Sequence, residues 1–200
     1  MKQRNEAWFW LVVTILILVM PGSASAHVRS GDAIGFVTGL VHPVSGLDHV
    51  LAMIAVGLWG AQLGQPAIWL LPVTFPMVMA FGGMLGLMGV PLPGIEIGIA
   101  ASAIILGIAV LKEMRPPLAV AAVVIGLFAI FHGHAHGTEL PEGQNGLLYS
   151  MGFVLATGTL HATGVGIGLI HKWPWGQRAL KLAGGAVAFA GLIFMWRALL

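Results

Sequence analysis

The sequence predicts an all-α integral membrane protein: about six transmembrane helices, a short N-terminal half-helix before them, and a cleaved signal peptide in front. Three observations predict it. Of the 200 residues, 58% are hydrophobic and 8% are charged, and the mean hydropathy is +0.95. A soluble domain is nearer 45–50% apolar and about 25% charged. The apolar residues fall in consecutive runs close to the roughly 20 residues that cross a bilayer as a helix. Lys and Arg gather in alternate connections between those runs. The length suits one compact bundle, residues 27–200, with no separate soluble domain. The net charge of +2 bears on topology and gives no reason to expect nucleic acid. With no cysteine in the chain, a disulfide framework and a thiolate metal site are both excluded. The ten methionines are read mostly as membrane core.

The elements follow in order. Residues 1–26 read as a secretory signal: MKQRNE is the basic start and AWFWLVVTILILVM the apolar stretch. PGSASA then ends with Ala24 and Ala26 in A-x-A spacing. Cleavage after Ala26 makes His27 the mature N-terminus, outside a bacterial inner membrane, and His27 is counted with the metal ligands of that face. Residues 31–42 are apolar but too short to span, and they stop at Pro43 and Gly46; they read as an interfacial or re-entrant half-helix. Such backbone is tolerated at membrane depth only where protein or a water-filled cavity covers it. The spans are then 47–63, 67–89, 94–111, 117–136, 147–171 and 179–198. Pro72 and Pro76 should kink the second of them. Gly82 and Gly86, Gly94 and Gly98, and Gly164 and Gly168 put small residues four apart, as close helix packing requires. Asp32 reads as a helix-start residue, and His171, beside Lys172, as interfacial.

Orientation comes from the basic residues. With His27 outside, Lys112, Arg115, Lys172, Arg178 and Lys181 fall inside, and only Arg29 and Arg197 fall outside. The outside loop GTELPEGQNG carries two glutamates and no basic residue.

Two clusters carry chemistry. HPVSGLDHVLAM contains His42, Asp48 and His49, with Met53 one helical turn beyond His49. Ionisable groups inside membranes are costly and mark sites or pathways. Gly46 breaks the helix between His42 and the Asp48–His49 pair, so His42 can fold back towards them. A helix starting near Gly46 also points free N–H groups there. The second cluster is FHGHAHGTE, residues 131–139. If the helix before it continues to 139, His132 and His136 are four apart and Glu139 shares their face. His134 points elsewhere. Imidazole with carboxylate suits Ni²⁺, Co²⁺, Zn²⁺ or Fe²⁺ and not Cu(I). The first cluster starts an outside-to-inside span and the second ends an inside-to-outside span, so both lie near the outer face. Glu96 begins the third span on that side. His161 lies mid-way along the fifth span, read either as a hydrogen-bonded structural residue or as an inner ion-relay position.

These residues resemble the HupE/UreJ family of hydrogenase/urease accessory membrane proteins. HPVSGLDH fits a His, five residues, Asp-His pattern, and FHGHAHGTE, PLPGIE and LHATG follow in order; the resemblance covers essentially the whole mature chain. It implies a nickel, or in some members cobalt, permease working by secondary or facilitated transport. It also implies that His42, Asp48, His49, His132, His136 and Glu139 are the transport residues, with His134 in a more variable slot. No permanently bound cofactor is expected. The expected partners are the metal ion, the bilayer and metallochaperones of hydrogenase or urease maturation; a homo-oligomer is left open.

The competing class is a membrane-embedded zinc hydrolase. Three histidines, an Asp and the nearby Ser45 could hold Zn²⁺ and activate water. Against it, HExxH and G-x-S-x-G are absent from the sequence. A third reading is a metal-binding subunit without transport.

Overall fold

The computed structural model describes residues 32–140 and 145–200; the signal peptide at 1–26 and His27 lie outside the described residues. The regular structure of the described residues is helical. The helices are α1 (Asp32–Ser45), α2 (Leu47–Leu63), α3 (Ala67–Leu87), α4 (Ile95–Leu111), α5 (Leu118–Thr138), α6 (Gly146–Gly168) and α7 (Pro174–Leu199). A 3₁₀ turn, Leu169–Lys172, joins the last two. This is the expected all-α membrane architecture. Among the described residues, four helical segments are each long and apolar enough to cross a bilayer: α3, α5, α6 with its 3₁₀ turn, and α7. The bent pair α1–α2 would make a fifth crossing. Apolar α4 has 17 residues, about 26 Å of helix, a little short of the ~30 Å hydrocarbon core.

The expected half-helix is α1. It runs past Pro43 to Ser45, because the proline sits in its last turn, where the helix is ending in any case. Gly46 is extended (φ −100°, ψ 117°) and caps α2. The chain turns by 81° there. That corner brings the end of α1 and the start of α2 together.

Glycines decide how closely the helices approach. A Cβ at Gly82 or Gly86 of α3 would run into the backbone of Ile130 or His134 on α5. In return, Gly133 and Gly137 of α5 lie against the backbone of Met79 and Gly83 on α3. With no water to expel between helices in lipid, such backbone contact is the main source of association. Gly164 and Gly168 of α6 pack likewise on α2, at Ile54 and Gly57 and at Leu58. The Gly94–Gly98 pair departs from the expectation. Gly98 does meet the Phe131 ring, but Gly94 caps α4 in the left-handed region (φ 70°) and meets no other helix. The turn before α4 needs a positive φ, which glycine adopts without steric cost.

Met53, Leu71, Phe75, Leu106 and Ile125 are fully buried along the axis, while Trp69, Met77, Val123, Leu182 and Phe189 stand exposed. Apolar exposure on this scale fits a lipid-facing perimeter. The opposite end of the bundle from the histidines is tied by hydrogen bonds from Trp59 and Gln62 of α2 to the Met114 and Val110 carbonyls. A Glu113–Lys181 ion pair of 3.4 Å lies at the same end.

Candidate metal centre

Helix α5 continues through Thr138, and Glu139 caps it with a backbone bond to Ala135. His132, His136 and Glu139 therefore do share one stripe. The α1–α2 corner swings His42 and His49 onto that stripe from the other side. The result is a row of side chains that begins in water and ends in the core.

At the mouth, His42 Nε2–H donates to Glu139 Oε2 at 3.1 Å. His136 Nδ1 faces the same oxygen at 3.6 Å, too long for a hydrogen bond but close for a charge contact. One ligand atom from each of His42, His136 and Glu139 lies within 4.8 Å of the others, a spacing that could hold a metal ion. The His136 and His42 imidazoles hold the Glu139 carboxyl down to about 2, so it is an anion at neutral pH.

Deeper, His49 Nδ1 lies 2.8 Å from His132 Nδ1 and 3.1 Å from His136 Nε2. Proton bookkeeping fixes the tautomers. Ser102 Oγ donates its one proton to the Ile99 carbonyl at 2.6 Å. Its oxygen can then only accept from His132 Nε2–H, 2.9 Å away. His132 therefore turns a lone pair on Nδ1 towards His49. One His49 proton faces two ring nitrogens and cannot fully satisfy both. A divalent cation in place of that proton could be shared by His49 with either ring in turn. Metal–nitrogen bonds of about 2.0–2.1 Å put tetrahedral ligand atoms ~3.3 Å apart, so either pair, His49 with His132 at 2.8 Å or His49 with His136 at 3.1 Å, needs only a small outward shift to share an ion.

Burial grades the row. Side-chain exposure is 54% for Glu139, 24% for His42 and 13% for His136. Deeper in the row whole-residue exposure is only 4% for His49, 0% for His132 and 1% for His161. The Phe153 ring packs on His136 at 4.6 Å and walls the row on one side. The Phe75 ring meets His132 at 5.6 Å and His161 at 5.4 Å, edge to face in both cases. An apolar crevice of about 330 Å³ between α3, α5 and α6 reaches His136 past Met79, Tyr149 and Phe153.

The other expected residues fall as follows. Asp48 accepts from the His49 backbone N–H at 2.8 Å and is half-buried beside the cluster. Glu96 opens α4, exposed, in electrostatic reach of Asp48 and Glu139. Met53 is fully buried one turn along α2 from His49. His134 is the member not brought in: its Nε2–H donates to the Val90 carbonyl at 2.6 Å and braces the α3–α4 loop. His161 Nδ1–H donates to the Pro72 carbonyl at 3.1 Å. Ser45 donates within its own turn, to the His42 carbonyl, and is bonded to no imidazole ring of the cluster. His171 stays at the opposite end, bonded to Gly168.

Ser102, Phe75 and Phe153 were not foreseen from the sequence. Ser102 had a signal: it is the only hydroxyl in the apolar run of α4. The two phenylalanines had none, since apolar residues fill every helix.

Comparison with known proteins matches residues 15–194 to the family profile described as HupE / UreJ protein. A curated relative, Protein HupE of Rhizobium leguminosarum bv. viciae, is 46% identical over 181 residues, covering 90% of this chain and 94% of that protein. No solved structure gives a significant match.

Proposed function

The chain belongs to the HupE/UreJ family, and on that premise we propose that it is a divalent transition-metal permease, a carrier and not an enzyme. Its cargo is Ni²⁺, with Co²⁺ as an alternative and Zn²⁺ chemically acceptable. It works in a bacterial inner membrane with the Glu139 mouth facing the periplasm. The observation that carries this reading is the graded row of Glu139, His42, His136, His49 and His132, running from water into the core.

The steps follow from the ligands. The Glu139 anion attracts a hydrated cation, and His42 and His136 replace its first waters. His49 and His132 then take it from His136, already shared between the two groups. Nitrogen ligands disfavour Mg²⁺ and Ca²⁺, which prefer oxygen, and the absence of thiolates disfavours Cu(I). Conduction needs sites weak enough to release the ion, and mixed imidazole–carboxylate ligation meets that need. No nucleotide-binding motif is present in the sequence, so a gradient, or sequestration by metallochaperones of hydrogenase or urease maturation, drives net uptake. The row lies within one protomer, and an oligomer is not required for it.

The test is uptake of radiolabelled nickel or cobalt by cells expressing wild type or His49→Ala. His49 touches both His132 and His136, so its loss should abolish uptake. Equal uptake by both would sink the reading.

A further inference from the structure

We propose that His161 and Thr157 of α6 form a second, inner cation station, separate from the outer imidazole cluster and built by the proline pair of α3. The inference rests on the permease reading and deepens it. Its starting point is backbone bonding. Pro76 has no N–H, so the Pro72 carbonyl four residues earlier has no helical donor. A buried carbonyl without a partner is costly in lipid. His161 Nδ1–H supplies the missing bond at 3.1 Å.

That bond fixes the imidazole as the Nδ1–H tautomer and leaves a lone pair on Nε2. His161 is 1% exposed, and Nε2 has no partner among the described residues. One turn earlier on the same face, Thr157 is 0% exposed and its Oγ1 is also unpartnered. Its neighbours behave otherwise: Thr159 and Thr163 turn their hydroxyls back to the carbonyls four residues before them. A buried imidazole lone pair and a buried hydroxyl on one helix face, each without a hydrogen-bond partner among the described residues, are an expensive arrangement unless something visits. An imidazole whose other nitrogen is tied to a carbonyl is the usual form of a metal-ligating histidine. Imidazole plus hydroxyl is a weak donor set, completed by waters, for a borderline divalent cation of the same class as the outer site binds. Phe75, in edge contact with both His132 and His161, marks the boundary between the two stations.

The experiment uses the full chain in lipid nanodiscs, with Co²⁺ as the probe, reading binding stoichiometry by calorimetry alongside cellular uptake. His161→Asn is the informative variant, because the Asn amide can still donate to the Pro72 carbonyl while the Nε2 lone pair is gone. Wild type should bind two Co²⁺. His161→Asn should bind one, melt like wild type, and transport roughly ten- to a hundredfold more slowly, the range typical of a lost ligand-shell group. His49→Ala should weaken binding of the outer ion, which the His42, His136 and Glu139 mouth can still hold, and leave the inner one unchanged. If His161→Asn does not fold, Thr157→Val, equal in shape and apolar, should weaken the inner site and slow uptake. A single Co²⁺ in wild type overturns the proposal, as does wild-type stoichiometry and uptake in His161→Asn or, where that fails to fold, in Thr157→Val. Absence of both binding and uptake in wild type would instead bring down the permease reading itself.

Discussion

Replacing Ser102 by Ala tests the outer cluster through a residue that touches no cargo. Ser102 and His132 are both 0% exposed, so water cannot stand in for a lost partner. Removal of Oγ deletes the acceptor that His132 Nε2–H has among the described residues, at 2.9 Å. Two outcomes are open to the imidazole. It can keep its proton on Nε2 as an unsatisfied buried donor, at a cost of ~1–3 kcal/mol. Or it can move the proton to Nδ1, which then blocks the nitrogen facing His49 at 2.8 Å. Either way metal binding weakens: an orienting partner of a ligating histidine is typically worth about 10–100-fold in affinity, or roughly 1.4–2.7 kcal/mol. Calorimetric titration of the nanodisc protein with Ni²⁺ or Co²⁺ should show a Kd higher by that factor. In a His132→Ala background, Ser102→Ala should add nothing, since the partner it orients is gone. An affinity within about twofold of wild type would refute the tautomer argument, because a misoriented ligand cannot bind as well as an oriented one.

His134→Ala should leave metal affinity unchanged and lower stability by about 1 kcal/mol, the net value of its bond to Val90. Thermal unfolding and metal titration on one sample separate the two effects, and a large loss of affinity would return His134 to the site. For Glu139, the sign follows from a carboxyl held down to about 2 by His136 and His42, below the ordinary value of ~4.3. Its contribution to stability is complete above the ordinary value and is lost as pH falls towards about 2. The melting-temperature difference between wild type and Glu139→Gln should thus be flat from pH 7 to 5 and shrink below; a difference that shrinks between pH 7 and 5 would contradict it. Any loss of uptake over that higher range then belongs to protons competing for imidazole.

Much of this protein is legible in the chain alone. Membrane burial forces long apolar runs, so helix existence and order are written in composition and hydropathy, and the structure returns each expected helix within a few residues. The 3.6-residue period placed His132, His136 and Glu139 on one stripe and turned His134 aside. Gly46 announced the corner that folds His42 back. Other features were decided only by tertiary structure. Spacing within one helix says nothing about which nitrogen meets which across helices, so His49 as the hub between His132 and His136 was not readable. Nor was the Ser102 tether, which depends on α4 lying beside α5. Gly94 could not be told from a packing glycine until its positive φ was seen. His161 shows the division most clearly. Its sequence left it between a hydrogen-bonded structural residue and an inner ion-relay position. The carbonyl it satisfies is left bare by a proline four residues on, in another helix. Local pattern fixes which backbone groups lack partners, and only the packing of helices determines which side chain reaches them.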